Sequence, residues 1–169
     1  EKSHFNPISP YSIAKLSAYH HVRMYRNSFN IFASNGILFN HESPLRGDQF
    51  VTKKIVKALT EIKFNKKKDT LKLGNIYSRR DWGHARDYVN MMYKILIHKK
   101  ADDFVISSEK QYSIKEFINL VCKKLNMPIK WQGNGLKEKA LYNNKVIIVI
   151  LKEFFRPLDV AYLLGDSTK

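Results

Sequence analysis

The sequence Ser9-Pro10-Tyr11-Ser12-Ile13-Ala14-Lys15 begins a predicted helix and places a phenol and an ammonium group four residues apart. Ser9 suits the N-cap because its side chain can accept a hydrogen bond from a backbone N–H, and Pro10 has no N–H to leave unpaired. One helical turn brings Tyr11 and Lys15 to the same face. A neighbouring cation favours the phenolate, which is the form that accepts a proton. The stretch therefore predicts an acid–base pair. An ordinary amphipathic helix is the alternative.

Hydrophobic periodicity predicts alternating helices and strands along the chain. Residues 10–29 carry apolar side chains at helical spacing, and residues 31–39 form the β-branched and aromatic run of a buried strand. Helix followed by strand is the repeating step of a doubly wound sheet, in which ligands bind beyond the carboxyl ends of strands. The loop 40–46 lies at such a position, so it predicts a site; a surface loop is the alternative. Further helices are predicted over 48–63, 84–98 and 113–125, and further strands over 71–73, 103–107, 128–131 and 145–151. Ser113 and Glu116 fit a capping box at the start of the last of these helices. The apolar face predicted for the helix over 48–63 consists of Phe50, Val51, Ile55, Ala58, Leu59 and Ile62.

The stretch Arg79–Val89 combines two adjacent arginines with an aspartate, a tryptophan and a histidine ahead of a predicted helix. Arginine suits a diphosphate because its planar guanidinium group can hold two oxygens at once. Adjacent arginines are also common on protein surfaces, so the charge alone does not assign a site.

The chain has 169 residues and a net charge of +15, with 44% hydrophobic residues, enough for a compact core. This charge suits an anionic partner, either a nucleic acid or a phosphate-bearing small molecule. A biased use of lysine, asparagine and isoleucine is a third explanation. The sequence has no basic and aromatic recognition motif, so we predict no nucleic-acid partner.

Cysteine content and apolar run length bound the cellular setting. Cys122 is the only cysteine, which excludes an internal disulfide and favours a reducing, cytoplasmic compartment. The longest apolar run, Val146–Leu151, is far shorter than the roughly 20 residues of a membrane helix, so we predict no membrane partner. His20 and His21 lack further residues at ligand spacing, and we predict no metal site.

Several motifs occur in a fixed order: SPYSIAK, NGILFNHESPLRG, FVTKKI, RDWGHARDYV, and FFRP followed by LLGDSTK. Together they resemble the extended short-chain dehydrogenase/reductase superfamily, and within it the GDP-mannose 4,6-dehydratase family. The resemblance covers nearly the whole chain. It implies an α/β fold, the C-terminal half of the extended type: the last units of a Rossmann-like doubly wound sheet plus a smaller α/β substrate-binding domain. Residues 1–48 would end the NADP-binding domain. Residues 49–169 would mostly form the GDP-sugar domain, with about 76–110 returning to the Rossmann-like part.

The resemblance also implies roles for individual residues. Tyr11 would be the catalytic base, and Lys15 would bind the nicotinamide ribose while stabilising the phenolate. His41 and Arg46 would contact NADP. The positions that match the GDP-sugar site are Asn40, Val51, Lys54, Arg80 and Arg156, with the last two arginines as diphosphate ligands.

The implied reaction is an internal redox cycle that converts GDP-mannose to GDP-4-keto-6-deoxymannose. Tyr11 would take the proton of the mannose 4-hydroxyl as hydride passes from C4 to NADP; the ketone acidifies the C5 proton, water leaves from C6 and hydride returns there. The family also uses a threonine and a glutamate from an earlier segment, and this chain has no glycine-rich phosphate loop. We therefore expect the nucleotide-binding half to lie upstream of Glu1 and the isolated chain to be inactive. The intact protein is expected to form homodimers or homotetramers.

Two alternatives remain from the sequence. Another nucleotide-sugar dehydratase or epimerase of the same superfamily is possible because all of them share the Tyr-x-x-x-Lys spacing. A basic nucleic-acid-binding domain is suggested by the charge alone.

Overall fold

The computed structural model describes residues 4–65, 70–156 and 160–168. The described chain has four α-helices: α1 Pro10–Phe29, α2 Val51–Lys63, α3 Ala85–Leu96 and α4 Ile114–Lys124. Its strands are β1 Asn35–Leu38, β2 Asn40–Glu42, β3 Leu71–Leu73, β4 Arg79–His84, β5 Asp103–Ile106, β6 Gln111–Ser113, β7 Lys130–Gln132, β8 Lys139–Tyr142, β9 Lys145–Ile150 and β10 Tyr162–Leu163. Pro157 of the FFRP motif and Lys169 lie outside the described residues. The α/β fold class is confirmed.

The chain divides into two compact units. The first comprises residues 1–43, 81–111 and 163–169, and the second comprises residues 44–80 and 112–162. The predicted domains were defined by what they bind: residues 1–48 by NADP, and residues 49–169 mostly by the GDP-sugar. That assignment stays a prediction.

The first unit is built on a parallel pair of strands, β1 and β5, in which Asn35 lies opposite Asp103 and Leu38 opposite Ile106. Helices α1 and α3 both contact β1. A second parallel pair joins β2 to β4, with His41 opposite Gly83. The buried core of this unit consists of Tyr88, Ile95 and Ile106, with Leu38 and Phe104 packed against it.

The second unit packs two helices against a four-stranded sheet of order β3-β9-β8-β7. Strand β3 is parallel to β9, whereas β8 is antiparallel to both of its neighbours. Ile55 and Leu59 of α2 are fully buried, which confirms the predicted apolar face of that helix. Phe50 was also predicted on this face, but it caps the helix and is exposed. The other fully buried apolar side chains of the core include Ile76, Ile118, Met127 and Ile148.

Helix starts follow the predicted capping chemistry. Ser113 Oγ accepts a hydrogen bond from Glu116 N at 3.1 Å, and Glu116 Oε2 accepts one from Ser113 N at 2.6 Å, which is the predicted capping box of α4. Helix α1 spans its predicted bounds of 10–29.

Two strand predictions need correction. The predicted strand 31–39 is ordered as a strand only over Asn35–Leu38, and a separate strand begins at Asn40. Strands β4 and β8 were not predicted, because neither RRDWGH nor KALY carries a run of alternating apolar residues long enough to indicate a strand. Among the described residues, no helix has the length and apolar character needed to cross a membrane.

Candidate functional site

An open cavity of about 470 Å³ lies in the first unit, where α1 faces β1. Its lining includes Tyr11 and Lys15 of α1, Asn35–Leu38 of β1 and Phe5–Pro7. Tyr11 is 74% exposed, so its phenol is accessible to a ligand. The structure therefore brings the two predicted catalytic side chains to a single cavity.

The start of α1 fixes where Tyr11 stands. Ser9 Oγ accepts a hydrogen bond from Ser12 N at 3.1 Å, and Ser12 Oγ in turn accepts one from Ser9 N at 2.9 Å. Pro10 is the first helical residue, which places Tyr11 in the first turn. The capped first turn therefore fixes the backbone from which the Tyr11 side chain extends.

His41 is held on β2 by two neighbours. Its Nδ1 lies 3.0 Å from the Phe39 carbonyl oxygen, and its ring stacks on Tyr88 with centroids 4.9 Å apart. Because a carbonyl oxygen only accepts, this hydrogen bond requires a proton on Nδ1. A Cβ on Gly83 would lie 2.3 Å from Tyr88 Cε2, so the stacked ring needs a glycine at this position.

Tyr88 stays neutral within this arrangement. Burial, followed by the charge of Asp81, raises the pKa of Tyr88 to about 12. Its Oη is buried and has no hydrogen-bond partner among the described residues. Asp81 is fully buried and accepts hydrogen bonds from Ser108 N at 2.9 Å, Glu109 N at 3.1 Å and Gly165 N at 3.3 Å. Asp81 thereby links β4 by hydrogen bonds to residues 108–109, which follow β5, and to Gly165.

Asn40 lies next to His41 on β2 and has an unused acceptor. Its Oδ1 is buried and has no partner within the described part of the chain. A buried polar atom that lacks a partner costs free energy. A hydrogen-bond donor on a bound ligand would satisfy this atom, which fits the predicted role of Asn40 in substrate binding.

The second unit contains a cationic cavity of about 370 Å³. Its lining contains three lysines, Lys54, Lys57 and Lys72, and two acids, Asp48 and Glu61, together with Ala58, Thr70, Leu71 and Phe154. Lys54 Nζ donates to the Lys72 carbonyl oxygen at 2.9 Å and lies 4.8 Å from the centroid of the Phe154 ring. Lys57 forms an ion pair with Asp48, and the lysines outnumber the acids by one, so the lining keeps a small excess of positive charge that suits an anionic ligand.

The remaining predicted residues of the second unit have separate surroundings. The Arg46 guanidinium carbon lies 3.5 Å from the centroid of the Phe50 ring. Arg80 Nη1 donates to the carbonyl oxygens of Arg79 at 2.7 Å and Val160 at 2.6 Å. Val51 is the first residue of α2, and Arg156 is exposed. Among the described residues of the predicted substrate site, Lys54 alone lines the cationic cavity.

The predicted site residues fall into two sets. Tyr11, Lys15, Asn40 and His41 belong to the first unit, and the second unit holds Arg46, Val51, Lys54, Arg80 and Arg156. Asp103, which binds the helix of Tyr11 and Lys15, was missed by the sequence reasoning. The available signal was Tyr19, a polar aromatic residue one turn beyond Lys15. The described residues hold no group of three or more His, Cys, Asp or Glu side chains placed to bind a metal ion.

Solved structures share this fold. RMD from Pseudomonas aeruginosa, complexed with NADPH, matches with a TM-score of 0.78 and 19% identity over 99% of this chain and 50% of that chain. The dTDP-glucose 4,6-dehydratase of Bacillus anthracis, in complex with NAD, matches with a TM-score of 0.77 and 16% identity over 99% of this chain and 46% of that chain. The chain has the fold of short-chain dehydrogenase/reductase dehydratases and epimerases, as predicted.

The family follows from sequence similarity. Residues 1–169 match the profile of the family described as GDP-mannose 4,6 dehydratase. The GDP-mannose 4,6-dehydratase of Sinorhizobium fredii (strain HH103) is 43% identical over 171 residues, which cover 100% of this chain and 48% of that protein. The chain belongs to the GDP-mannose 4,6-dehydratase family, and the resemblance in its motifs is confirmed. It spans about half the length of the curated relatives it matches.

Proposed function

We propose that this chain carries the catalytic tyrosine and part of the substrate site of a GDP-mannose 4,6-dehydratase. The enzyme would be a hydro-lyase that converts GDP-mannose to GDP-4-keto-6-deoxymannose with NADP as cofactor. The observation that carries the proposal is that Tyr11 and Lys15 line one cavity beside β1, in a chain whose family profile extends over its whole length.

Tyr11 is the proton acceptor in this mechanism. Its phenolate takes the proton of the mannose 4-hydroxyl, and Lys15 stabilises the phenolate while holding the ribose of the cofactor. When bound, NADP supplies the capacity to take up hydride and to return it.

The cofactor contacts of this chain extend to His41 and Arg46. His41 contacts the cofactor through Nε2, because Nδ1 is engaged by the Phe39 carbonyl oxygen. Arg46 offers a guanidinium group that is stacked on Phe50, which limits its side-chain freedom before it meets an anion.

The GDP-sugar is held by charge and by one buried acceptor. Lys54 supplies an ammonium group at the cationic cavity, and Arg80 and Arg156 bind the diphosphate. Asn40 Oδ1 accepts a hydrogen bond from the substrate, which satisfies an otherwise unpaired buried atom. Val51 contributes an apolar contact. The intact enzyme would form homodimers or homotetramers in the cytoplasm.

A chimera tests this proposal. The part of the Sinorhizobium fredii relative that this chain does not cover, which we expect to be its first half, is joined ahead of residue 1. The chimera is incubated with NADP and GDP-mannose, and the products are identified by NMR. We expect GDP-4-keto-6-deoxymannose from the chimera and none from the 169-residue chain alone. A folded chimera that binds NADP and leaves GDP-mannose unchanged would contradict the proposal.

The fold also supports a second candidate, another nucleotide-sugar dehydratase or epimerase. The supporting observation is the TM-score of 0.77 with a dTDP-glucose 4,6-dehydratase. Competition separates the two candidates: GDP-mannose should displace a fluorescent GDP analogue from the chimera more strongly than UDP-glucose or dTDP-glucose does. Stronger displacement by a UDP- or dTDP-sugar would favour the second candidate.

A further inference from the structure

Asp103, at the start of β5, is a buried carboxylate with several donors around it. Only 7% of this residue is exposed. Its Oδ2 accepts a hydrogen bond from Tyr19 Oη at 2.8 Å. Its Oδ1 accepts from Arg26 Nη2 and from Asn35 Nδ2, each at 2.9 Å. Two elements of the first unit, α1 and β1, therefore meet at one side chain of β5.

The donors from α1 lie on the helix face that carries the proposed catalytic pair. With 3.6 residues per turn, positions four apart are only about 40° apart around the axis. Tyr19 follows Lys15 by four residues, as Lys15 follows Tyr11. Arg26 lies two turns farther along the same side. Asp103 thus binds the stripe of α1 on which Tyr11 and Lys15 are mounted.

The same group of residues joins this stripe to the opposite wall of the cavity. Asn35 pairs with Asp103 in the β1–β5 register, and its Nδ2 also lies 3.3 Å from the Tyr19 carbonyl oxygen. Arg26 Nη1 donates to the Ala33 carbonyl oxygen at 3.0 Å, just before β1 begins. Since Asn35–Leu38 line the cavity with Tyr11 and Lys15, the contacts at Asp103 set the spacing between its two walls.

We propose that Asp103 is a positioning residue: it holds α1 against β1 through Tyr19, Arg26 and Asn35, and so places Tyr11 and Lys15 relative to the bound substrate and cofactor. The inference rests on the proposed function and extends it to a residue outside the cavity. The N-cap at Ser9 cannot serve in its place, because its hydrogen bonds are local to the first turn and do not reach the sheet.

A carboxylate is required at this position because of the number of donors. An ionised carboxylate has two oxygens and about four acceptor sites, whereas an asparagine has one carbonyl oxygen and adds two donors of its own. Arg23 is a further cation beside the carboxylate, with its Nε 3.7 Å from Asp103 Oδ2. Asp103→Asn would leave the half-buried Arg26 guanidinium without its counter-charge and place an NH₂ group against the donors that now converge there.

A purely structural role for Asp103 makes a different prediction. In that case its loss would lower thermal stability, while the catalytic rate of the folded fraction would stay the same. Positioning instead predicts a fall in kcat at temperatures where every variant is folded, because a displacement of about 1 Å at a reacting group costs about 100-fold in rate.

The kinetic test uses Asp103→Asn and Tyr19→Phe in the chimera, with Glu109→Gln as the matched control. Glu109 is an acid of the same unit. It accepts hydrogen bonds from Ser167 N at 3.1 Å and Ser167 Oγ at 2.7 Å, and neither of these bonds is to α1. We expect Asp103→Asn to lower kcat about 10–100-fold with little change in KM. Tyr19→Phe keeps the ring and removes one donor, so its loss should be smaller and in the same direction. Glu109→Gln should keep the wild-type rate.

A second readout does not need turnover. Tyr11 in the 169-residue chain is replaced by 3-fluorotyrosine, and its fluorine NMR resonance is recorded for the same variants. Asp103→Asn should shift or broaden this resonance, and Glu109→Gln should not. An inactive wild-type chimera would count against the proposed function and leave this readout to decide the inference. A lowered Tm with unchanged fluorine resonance, or unchanged kcat in an active chimera, would overturn it.

Discussion

His41 and Tyr88 stack with their ring centroids 4.9 Å apart and an interplanar angle of 31°. Gly83, opposite His41 in the β2–β4 register, makes room for the Tyr88 ring. The buried Tyr88 ring therefore orients His41, a proposed cofactor contact. The ring fits against the β4 backbone only because Gly83 has no side chain.

Gly83→Ala should disturb this arrangement. The added Cβ would lie 2.3 Å from Tyr88 Cε2, so the ring must move away from His41. We expect the free energy of unfolding to fall by about 1–3 kcal/mol, as for overpacked cores, measured by urea denaturation. Gly47→Ala is the control, since a Cβ there meets only the flexible Gln49 side chain. Equal stability of the two variants would contradict the packing argument.

Glu138→Gln should destabilise the second unit. Glu138 is 2% exposed and accepts hydrogen bonds from Tyr77 Oη and Lys115 Nζ, each at 2.6 Å. The substitution leaves Lys115 without its anion, and we expect a loss of about 1–3 kcal/mol at neutral pH in denaturant unfolding. This is less than the roughly 3–5 kcal/mol of a fully buried pair, because the Lys115 side chain is 27% exposed. A loss below about 0.5 kcal/mol would place the pair among ordinary surface contacts.

The pH dependence of that pair has a definite sign. The hydrogen bond from Lys115 to Glu138 raises the pKa of Lys115 above its ordinary value of 10.5. Its contribution to stability is thus fully present below that value and is lost as the pH rises through the higher folded pKa. The stability gap between the wild type and Glu138→Gln should stay constant around neutral pH and narrow in alkali, as the pH rises through the folded pKa of Lys115. Narrowing near neutrality would contradict this assignment.

Asp103 gives the first unit an acid dependence of opposite sign. Burial raises the pKa of Asp103, but hydrogen bonds from Asn35, Tyr19 and Arg26 outweigh it and hold the pKa below its ordinary value of 3.8. The contribution is present above that value and is lost as the pH falls through the lower folded pKa. Urea unfolding between neutral pH and about pH 3 should show a steeper loss for the wild type than for Asp103→Asn. Parallel curves would contradict the account.

Lys54→Met should weaken substrate binding more than it slows turnover. Lys54 is a charged group of the cationic cavity, far in sequence from the proposed proton acceptor. We expect KM for GDP-mannose in the chimera to rise about tenfold with kcat nearly unchanged. The reason is that complete loss of a hydrogen bond to a charged group costs about 1.5–3 kcal/mol. Lys94→Met on α3 is the charge-matched control. The same KM for both variants would remove Lys54 from the proposed site.

Local chemistry explains what the sequence could predict. The cap of α1 by Ser9 and the capping box of Ser113 and Glu116 involve residues three positions apart, so spacing alone indicated them. The spacing of Tyr11 and Lys15 likewise needs only one helical turn. These features could be read from the residues before any long-range packing was known.

Long-range contacts account for what the sequence did not predict. The bond between Tyr19 and Asp103 joins residues 84 positions apart, and no periodicity reports such a contact. Strand β4 was missed because its residues, RRDWGH, serve polar contacts such as those of Asp81 and do not alternate. Ile13, an apolar residue of the helical pattern predicted over 10–29, is 57% exposed, because burial depends on neighbouring elements and not on helical phase alone.

The most direct test of the central claim is the turnover of GDP-mannose by the chimera with Tyr11→Phe. Phenylalanine keeps the ring and removes only the oxygen that accepts the proton. Tyr25→Phe, a tyrosine of the same helix that stacks on Phe29, is the matched control. We predict that Tyr11→Phe lowers kcat about 100–10,000-fold while NADP still binds, and that Tyr25→Phe turns over at the wild-type rate. A Tyr11→Phe variant that forms GDP-4-keto-6-deoxymannose at the wild-type rate would contradict the account.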